Sequence, residues 1–121
     1  MALVSFVGPI LPGKTEQWRQ FMSEIQGPRF NDFKASRERY GVHERTFLQP
    51  TPMGDMVIVT LEGNDPMGAF QKMANDQDPF TRWFVQQVME IHGFDLTKGL
   101  PGEPPQLVID SQDRQAMRKA A

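Results

Sequence analysis

The chain contains no cysteine among its 121 residues, which excludes disulfides, thiolate nucleophiles and cysteine-ligated zinc or iron–sulfur centres. No stretch approaches the roughly 20 consecutive apolar residues of a membrane helix, and the N-terminal residues lack the basic region of a signal peptide. Basic residues (13) are outnumbered by acidic ones (15), so no basic field is available to hold a phosphate backbone. We therefore expect a cytoplasmic protein that binds neither nucleic acid nor membrane.

The composition is that of an ordinary globular protein, with 39% apolar and 23% charged residues. This length fits a single domain. We expect an α+β core over residues 1–98, followed over 99–121 by an irregular connection. Within that connection, the apolar run 106–110 is a candidate short edge strand. Residues 111–121 form either a loose terminal helix or a frayed tail.

Hydrophobic patterning predicts three further strands and two helical stretches, each stretch split in two. The strands are expected over 2–8, 42–49 and 55–62, where Val, Leu, Ile and Phe are concentrated between turn residues. Apolar residues at helical spacing mark the first split stretch: Trp18, Phe21, Met22 and Ile25, then Phe30, Phe33, Arg37 and Tyr40. Asp65-Pro66 and Asp78-Pro79 each combine an N-cap carboxylate with a proline at the first helical position, and they predict the start of two more helices.

The third strand, Met56 to Leu61, is apolar at both odd and even positions. A strand with one solvated face would alternate apolar and polar residues, so continuous apolar character indicates that both faces of the strand are covered. Helices on one side of a small sheet leave the other side bare. Two copies of the chain can cover each other there, which predicts a homodimer.

The resulting order, β-α-β-β-α-β, is the ferredoxin-like pattern, and several segments make the likeness more specific. They are Pro9-Ile10-Leu11-Pro12-Gly13-Lys14, Leu48-Gln49-x-Thr51-Pro52-x-Gly54-Asp55, Asp78-Pro79-Phe80-x-x-Trp83-Phe84 and Glu90-Ile91-His92-Gly93. Through them the chain resembles the dimeric α+β barrel superfamily, and within it a group of small bacterial proteins of unassigned function. The resemblance implies a ferredoxin-like sandwich that pairs into a dimeric barrel. That superfamily includes cofactor-independent monooxygenases and isomerases, dehydratases, haem-dependent enzymes and proteins without known activity.

Only two histidines exist, so every histidine-dependent mechanism rests on them. His43 lies in the second strand, where it and Glu44 occupy opposite faces; either one of them lines a ligand cavity or both sit at the exposed start of the strand. His92 lies in the last turn of a helix, where the helix dipole alone favours a histidine. The alternative is a general base or a haem-type axial ligand that faces a pocket.

Arg37 interrupts an otherwise apolar row with a permanent charge, and Tyr40 is the only tyrosine. Either the Arg37 stem covers surface with its head in water, or its guanidinium points into a pocket and binds a carboxylate or enolate-like oxygen. Tyr40 could then supply a phenolic proton. His43, His92, Arg37 and Tyr40 are therefore the candidate catalytic residues.

No cofactor or metal is expected, because no glycine-rich phosphate loop or recognisable metal-ligand set is present. The aromatic residues either form a site for a flat apolar ligand or simply pack in the core, and the eight methionines are typical of core packing. The first functional hypothesis is a cofactor-independent enzyme, of monooxygenase or isomerase type, that acts on a small aromatic or polyketide-like compound. The second is a non-catalytic ligand-binding or structural protein.

Overall fold

Strands form at the three predicted apolar runs. The first precedes the first helical stretch, and the other two lie between the two helical stretches. The structure, a computed structural model, describes residues 2–99 and 102–113. Its strands are β1 (Ala2–Pro9), β2 (Val42–Thr51) and β3 (Gly54–Gly63). They build one antiparallel sheet in the order β1-β3-β2. The fold is therefore α+β, and the predicted strand positions at 2–8, 42–49 and 55–62 are confirmed.

Each helical stretch is split in two, as the sequence predicts. The helices are α1 (Thr15–Gln26), α2 (Phe30–Tyr40), α3 (Pro66–Asn75) and α4 (Pro79–His92), and a short 3-10 turn follows at Leu96–Lys98. The carboxylates of Asp65 and Asp78 accept hydrogen bonds from the backbone N–H groups of Gly68 and Thr81. Both predicted N-caps are confirmed. Among the described residues, no helix has both the length and the apolar character needed to cross a bilayer.

The two faces of the sheet differ in what covers them, which is clearest on the central strand β3. Val57, Val59 and Leu61 point to the helices, and we call this side the inner face. Val57 and Leu61 are buried there in two clusters with side chains of the helices. The helical members of these clusters are Trp18, Phe21, Ile25, Ala69 and Ile91.

The opposite side, the outer face, carries Ile58 on β3 and large apolar side chains on the two flanking strands. Leu3, Val7 and Phe47 are 54%, 53% and 52% exposed, and in the register Val7 and Phe47 flank Ile58. Nothing in the described part of the chain covers this face. In the single chain, therefore, the helices cover only the inner face of β3, and its apolar outer face stays uncovered.

The C-terminal connection differs from expectation. Residues 106–110 are irregular and exposed, and the described sheet has three strands. A short apolar run becomes a strand only when a neighbouring edge pairs with its backbone, and here no edge of this chain's sheet does so. Within residues 2–99 and 102–113 the order β-α-β-β-α is present, with split helices, and the sixth element of the ferredoxin-like pattern is absent. The expected terminal helix or tail lies mostly outside the described residues.

The face assignment on β3 predicts how the chain responds to a buried carboxylate. Val59→Asp places a charge among apolar side chains of the inner face, and we expect it to lower the free energy of unfolding by about 3–5 kcal/mol. Urea unfolding followed by circular dichroism measures this change. The matched control is Val108→Asp, because Val108 is exposed outside the sheet; it should change stability by less than about 0.5 kcal/mol. Equal stability of the two variants would show that Val59 does not face the core.

Candidate functional site

A cavity of about 340 Å³ lies between the inner face of the sheet and the helices. Its wall is mostly apolar and aromatic, with contributions from all three strands and all four helices. The principal apolar members are Phe6, Trp18, Phe21, Met22, Ile25, Phe33, Val57, Val59, Leu61, Phe70, Phe84 and Val88. Residues 102–105 of the C-terminal connection complete the wall. The cavity is therefore built from the whole fold rather than from one loop.

The polar end of the cavity is an ion pair between Arg37 of α2 and Glu44 of β2. Arg37 Nε donates to Glu44 Oε1 at 2.8 Å, and the two side chains are only 6% and 7% exposed. Arg37 Nη1 donates to Ser36 Oγ at 2.8 Å, and Thr46 Oγ1 donates to Glu44 Oε2 at 3.2 Å. The pair is thus a buried, hydrogen-bonded network on the cavity wall.

One nitrogen of this network has no partner. Arg37 Nη2 is buried and makes no hydrogen bond. The rings of Phe33 and Phe84 lie against the guanidinium, each with its centroid 4.7 Å from Cζ, and both rings line the cavity. Contact with the ring faces offsets part of the cost of burying the charge, but an N–H group inside a protein ordinarily also has an acceptor.

A tight turn brings the two charged residues together although they lie on different elements. Gly41 follows α2 with φ of 72°, a left-handed conformation that favours glycine, and β2 starts at the next residue. The turn has little room. A Cβ atom added at Gly63, which pairs with Val42 across the sheet, would lie 2.4 Å from the Gly41 carbonyl oxygen. Glycine at both positions therefore allows the end of α2 to approach the sheet.

Tyr40 is not part of the cavity wall among the described residues. Its hydroxyl donates to Asp76 in the loop between α3 and α4, and Arg39 Nη2 donates to the same carboxylate oxygen at 3.1 Å. These contacts, led by the Tyr40 hydrogen bond, hold the pKa of Asp76 below its usual range. The hydroxyl connects α2 to this loop, so Tyr40 and Arg37 do not share a site.

The two histidines lie on different sides of the sheet. His43 is exposed on the outer face, away from the cavity. His92 lines the cavity, and its Nδ1 lies 2.8 Å from the carbonyl oxygen of Pro9. Since a carbonyl only accepts, Nδ1 carries the hydrogen, and the neutral ring keeps Nε2 as an acceptor. Burial lowers the pKa of His92, against a smaller opposing effect of the Pro9 hydrogen bond, and so favours the neutral ring.

Arg37 and His92 line one cavity but are held at opposite ends of it. Glu44, the partner of Arg37, pairs with Leu61, whereas Pro9, the partner of His92, pairs with Met56. Those two β3 residues are five positions apart, which corresponds to about 17 Å along a strand. A single small reacting group is therefore not placed between the two side chains.

Of the four candidate residues, the structure places Arg37 and His92 on the cavity wall and the other two elsewhere. The sequence analysis gives Glu44 as a possible cavity residue and Arg37 as a possible pocket residue, and the structure shows that the two are ion-pair partners. Thr46 and Glu103 also line the cavity and were missed. For Thr46 a signal exists, because it shares strand parity with Glu44 between the apolar residues Val42 and Leu48; for Glu103 we find none.

Comparison with known proteins adds no further assignment. No family model matches the sequence, and no curated protein or solved structure is significantly similar to the chain. The resemblance to the dimeric α+β barrel superfamily therefore stays a prediction. No group of three or more metal-ligating side chains is found in the described part of the chain.

The buried pair predicts strongly non-additive effects of substitution. Glu44→Leu leaves the Arg37 charge buried without its partner and should cost about 3–5 kcal/mol of stability. In Arg37→Met/Glu44→Leu both charges are gone, and we expect stability to return to the wild-type value or above it. Urea unfolding of the single and double variants measures the coupling.

The control for this cycle is the exposed pair of Arg29 and Glu24, whose atoms lie 3.1 Å apart with side chains 36% and 50% exposed. Glu24→Leu should cost less than about 1 kcal/mol. Additive effects of the two substitutions at positions 37 and 44 would contradict the buried ion pair.

Proposed function

We propose that this protein binds a small, flat and largely apolar molecule in the cavity between sheet and helices. The observation that carries the proposal is an aromatic-lined cavity of about 340 Å³ with the buried Arg37–Glu44 ion pair on its wall. Ligand pockets commonly measure about 300–1,000 Å³ and combine apolar walls with a few fixed polar groups. The cavity has that size and that division of chemistry.

A cofactor-independent enzyme is the second candidate, and His92 is the observation that favours it. Its neutral ring keeps Nε2 as a hydrogen-bond acceptor, which suits a general base. Catalysis of this kind also needs a group that stabilises the charge developing on the substrate, and Arg37 is anchored far along the sheet from His92. Tyr40 and His43 do not line the cavity among the described residues. Binding is therefore the function that this geometry supports better.

The binding proposal predicts a saturable site for an uncharged aromatic dye. Prodan, a flat naphthalene ketone that emits more strongly in apolar surroundings, should saturate at one molecule per chain. We expect Val59→Phe to abolish binding, because the added ring volume falls within the cavity. The measurement is a fluorescence titration, with circular dichroism to show that the variant is folded.

Two further variants make this test independent of any single substitution. Gly8→Leu also adds volume at the cavity wall, and a Cβ at Gly8 meets only the Phe94 ring, at 3.5 Å. Val108→Phe adds the same ring as Val59→Phe but on the exposed connection, so it should leave binding unchanged. Dye binding that survives both cavity-filling variants would refute the proposed site.

We also propose that the protein acts as a homodimer, in which the outer faces of the sheets of two copies cover each other. Support comes from the exposed Leu3, Val7 and Phe47, since large contiguous apolar patches commonly mark interaction sites. Mutual burial of two sheet faces would remove this surface from water and give each sheet a covering layer on both sides. A stable interface of this kind buries at least about 1,200 Å² in total.

The dimer predicts a clear effect of one charge on the outer face. Wild-type protein at micromolar concentration should scatter light as twice the 13.8 kDa chain mass. Ile58→Asp should yield a folded monomer, because two copies of the carboxylate would meet in the interface, whereas the exposed control Val108→Asp should remain dimeric. A monomeric wild-type protein would exclude the dimer.

A further inference from the structure

The charge on the cavity wall restricts what kind of ligand fits. Among the described residues, four ionisable side chains line the cavity: Arg37, Glu44, His92 and Glu103. The charges of Arg37 and Glu44 offset each other, and burial lowers the pKa of His92, which favours its neutral form. Glu103 is exposed and keeps its negative charge at the edge of the wall. The wall therefore carries a small negative charge and offers no unpaired cation.

An anionic ligand is disfavoured by this arrangement. A ligand carboxylate at the polar end would approach the carboxylate of Glu44, which already occupies Arg37 Nε at 2.8 Å. Two carboxylates at such short range repel each other strongly where solvent is excluded. The arginine alone would favour an anion, but the pair as a whole does not.

The unpartnered nitrogen, Arg37 Nη2, favours a ligand acceptor that carries no full charge. Arg37 Nη2 is a donor, and it is buried without a hydrogen bond. A cationic ligand group cannot accept from it and would be repelled by the guanidinium. An uncharged oxygen, as in a ketone, ester or phenol, accepts the hydrogen bond without adding charge. Since Nη2 is covered, this oxygen reaches it by turning aside the Phe33 or Phe84 ring.

We infer that the ligand is an uncharged flat aromatic or polycyclic compound that presents a carbonyl or phenol oxygen to Arg37 Nη2. This inference rests on the proposed binding function and adds the chemical class of the ligand. It also replaces the expectation that Arg37 receives a carboxylate through paired hydrogen bonds, because Glu44 and Ser36 already occupy Nε and Nη1.

Four probes on the same naphthalene ring separate the alternatives: acetylnaphthalene, ethylnaphthalene, naphthoate and naphthylmethylammonium. Isothermal titration calorimetry on the wild-type chain should show acetylnaphthalene binding at least about 10-fold tighter than either charged probe. In Arg37→Met/Glu44→Leu, its affinity should fall about 10-fold or more, while that of ethylnaphthalene changes less than about 2-fold.

A second measurement needs no variant and keeps the inference testable if the double variant does not fold. The carbonyl carbon of isotopically labelled acetylnaphthalene, when bound, should resonate downfield of its value in hexane, because its oxygen accepts a hydrogen bond from the guanidinium. A carbonyl resonance at its value in hexane would contradict the contact.

The possible failures are distinguishable. If naphthoate or naphthylmethylammonium binds as tightly as acetylnaphthalene, or if the double variant weakens both uncharged probes equally, the ligand class is wrong and the binding function stands. If none of the four probes and no dye binds, the proposed function itself is refuted.

Discussion

The ion pair between Arg37 and Glu44 constrains both the packing and the chemistry of this protein. A buried guanidinium without a carboxylate would be strongly destabilising, so the end of α2 must remain against β2. This contact, 2.8 Å between Nε and Oε1, fixes one end of the cavity. Most of the remaining wall is apolar. The ion pair is thus the main charged contact at the wall of a largely apolar cavity.

Local signals in the sequence were sufficient for most of the secondary structure. The Asp-Pro pairs at 65–66 and 78–79 identify helix starts because a helix start depends on a few neighbouring atoms, namely the carboxylate and the backbone N–H groups that follow it. The strand expected at 106–110 does not form, and local composition could not show this. Its residues have strand propensity, but pairing depends on a neighbouring edge, which local composition does not describe.

The site was predictable only in part, for a related reason. Helical spacing indicates that Arg37 points towards the core, but it does not say which group a long side chain reaches. Tyr40 follows in the same row, yet its hydroxyl contacts Asp76 in the loop after α3. Helical spacing alone does not indicate that partner. The exposure of His43 follows from strand parity, once it is known which side the helices occupy.

The crowded turn at Gly41 makes the shape of the cavity sensitive to substitution at a position outside the cavity wall. The Gly41 carbonyl and the Cα of Gly63 are so close that a single methyl group at position 63 would push the turn away from the sheet. Such a shift would move the last turn of α2, which carries Arg37, relative to β2, which carries Glu44. A substitution at Gly63, which is not on the cavity wall, would therefore alter the geometry of the Arg37–Glu44 pair that lines the cavity.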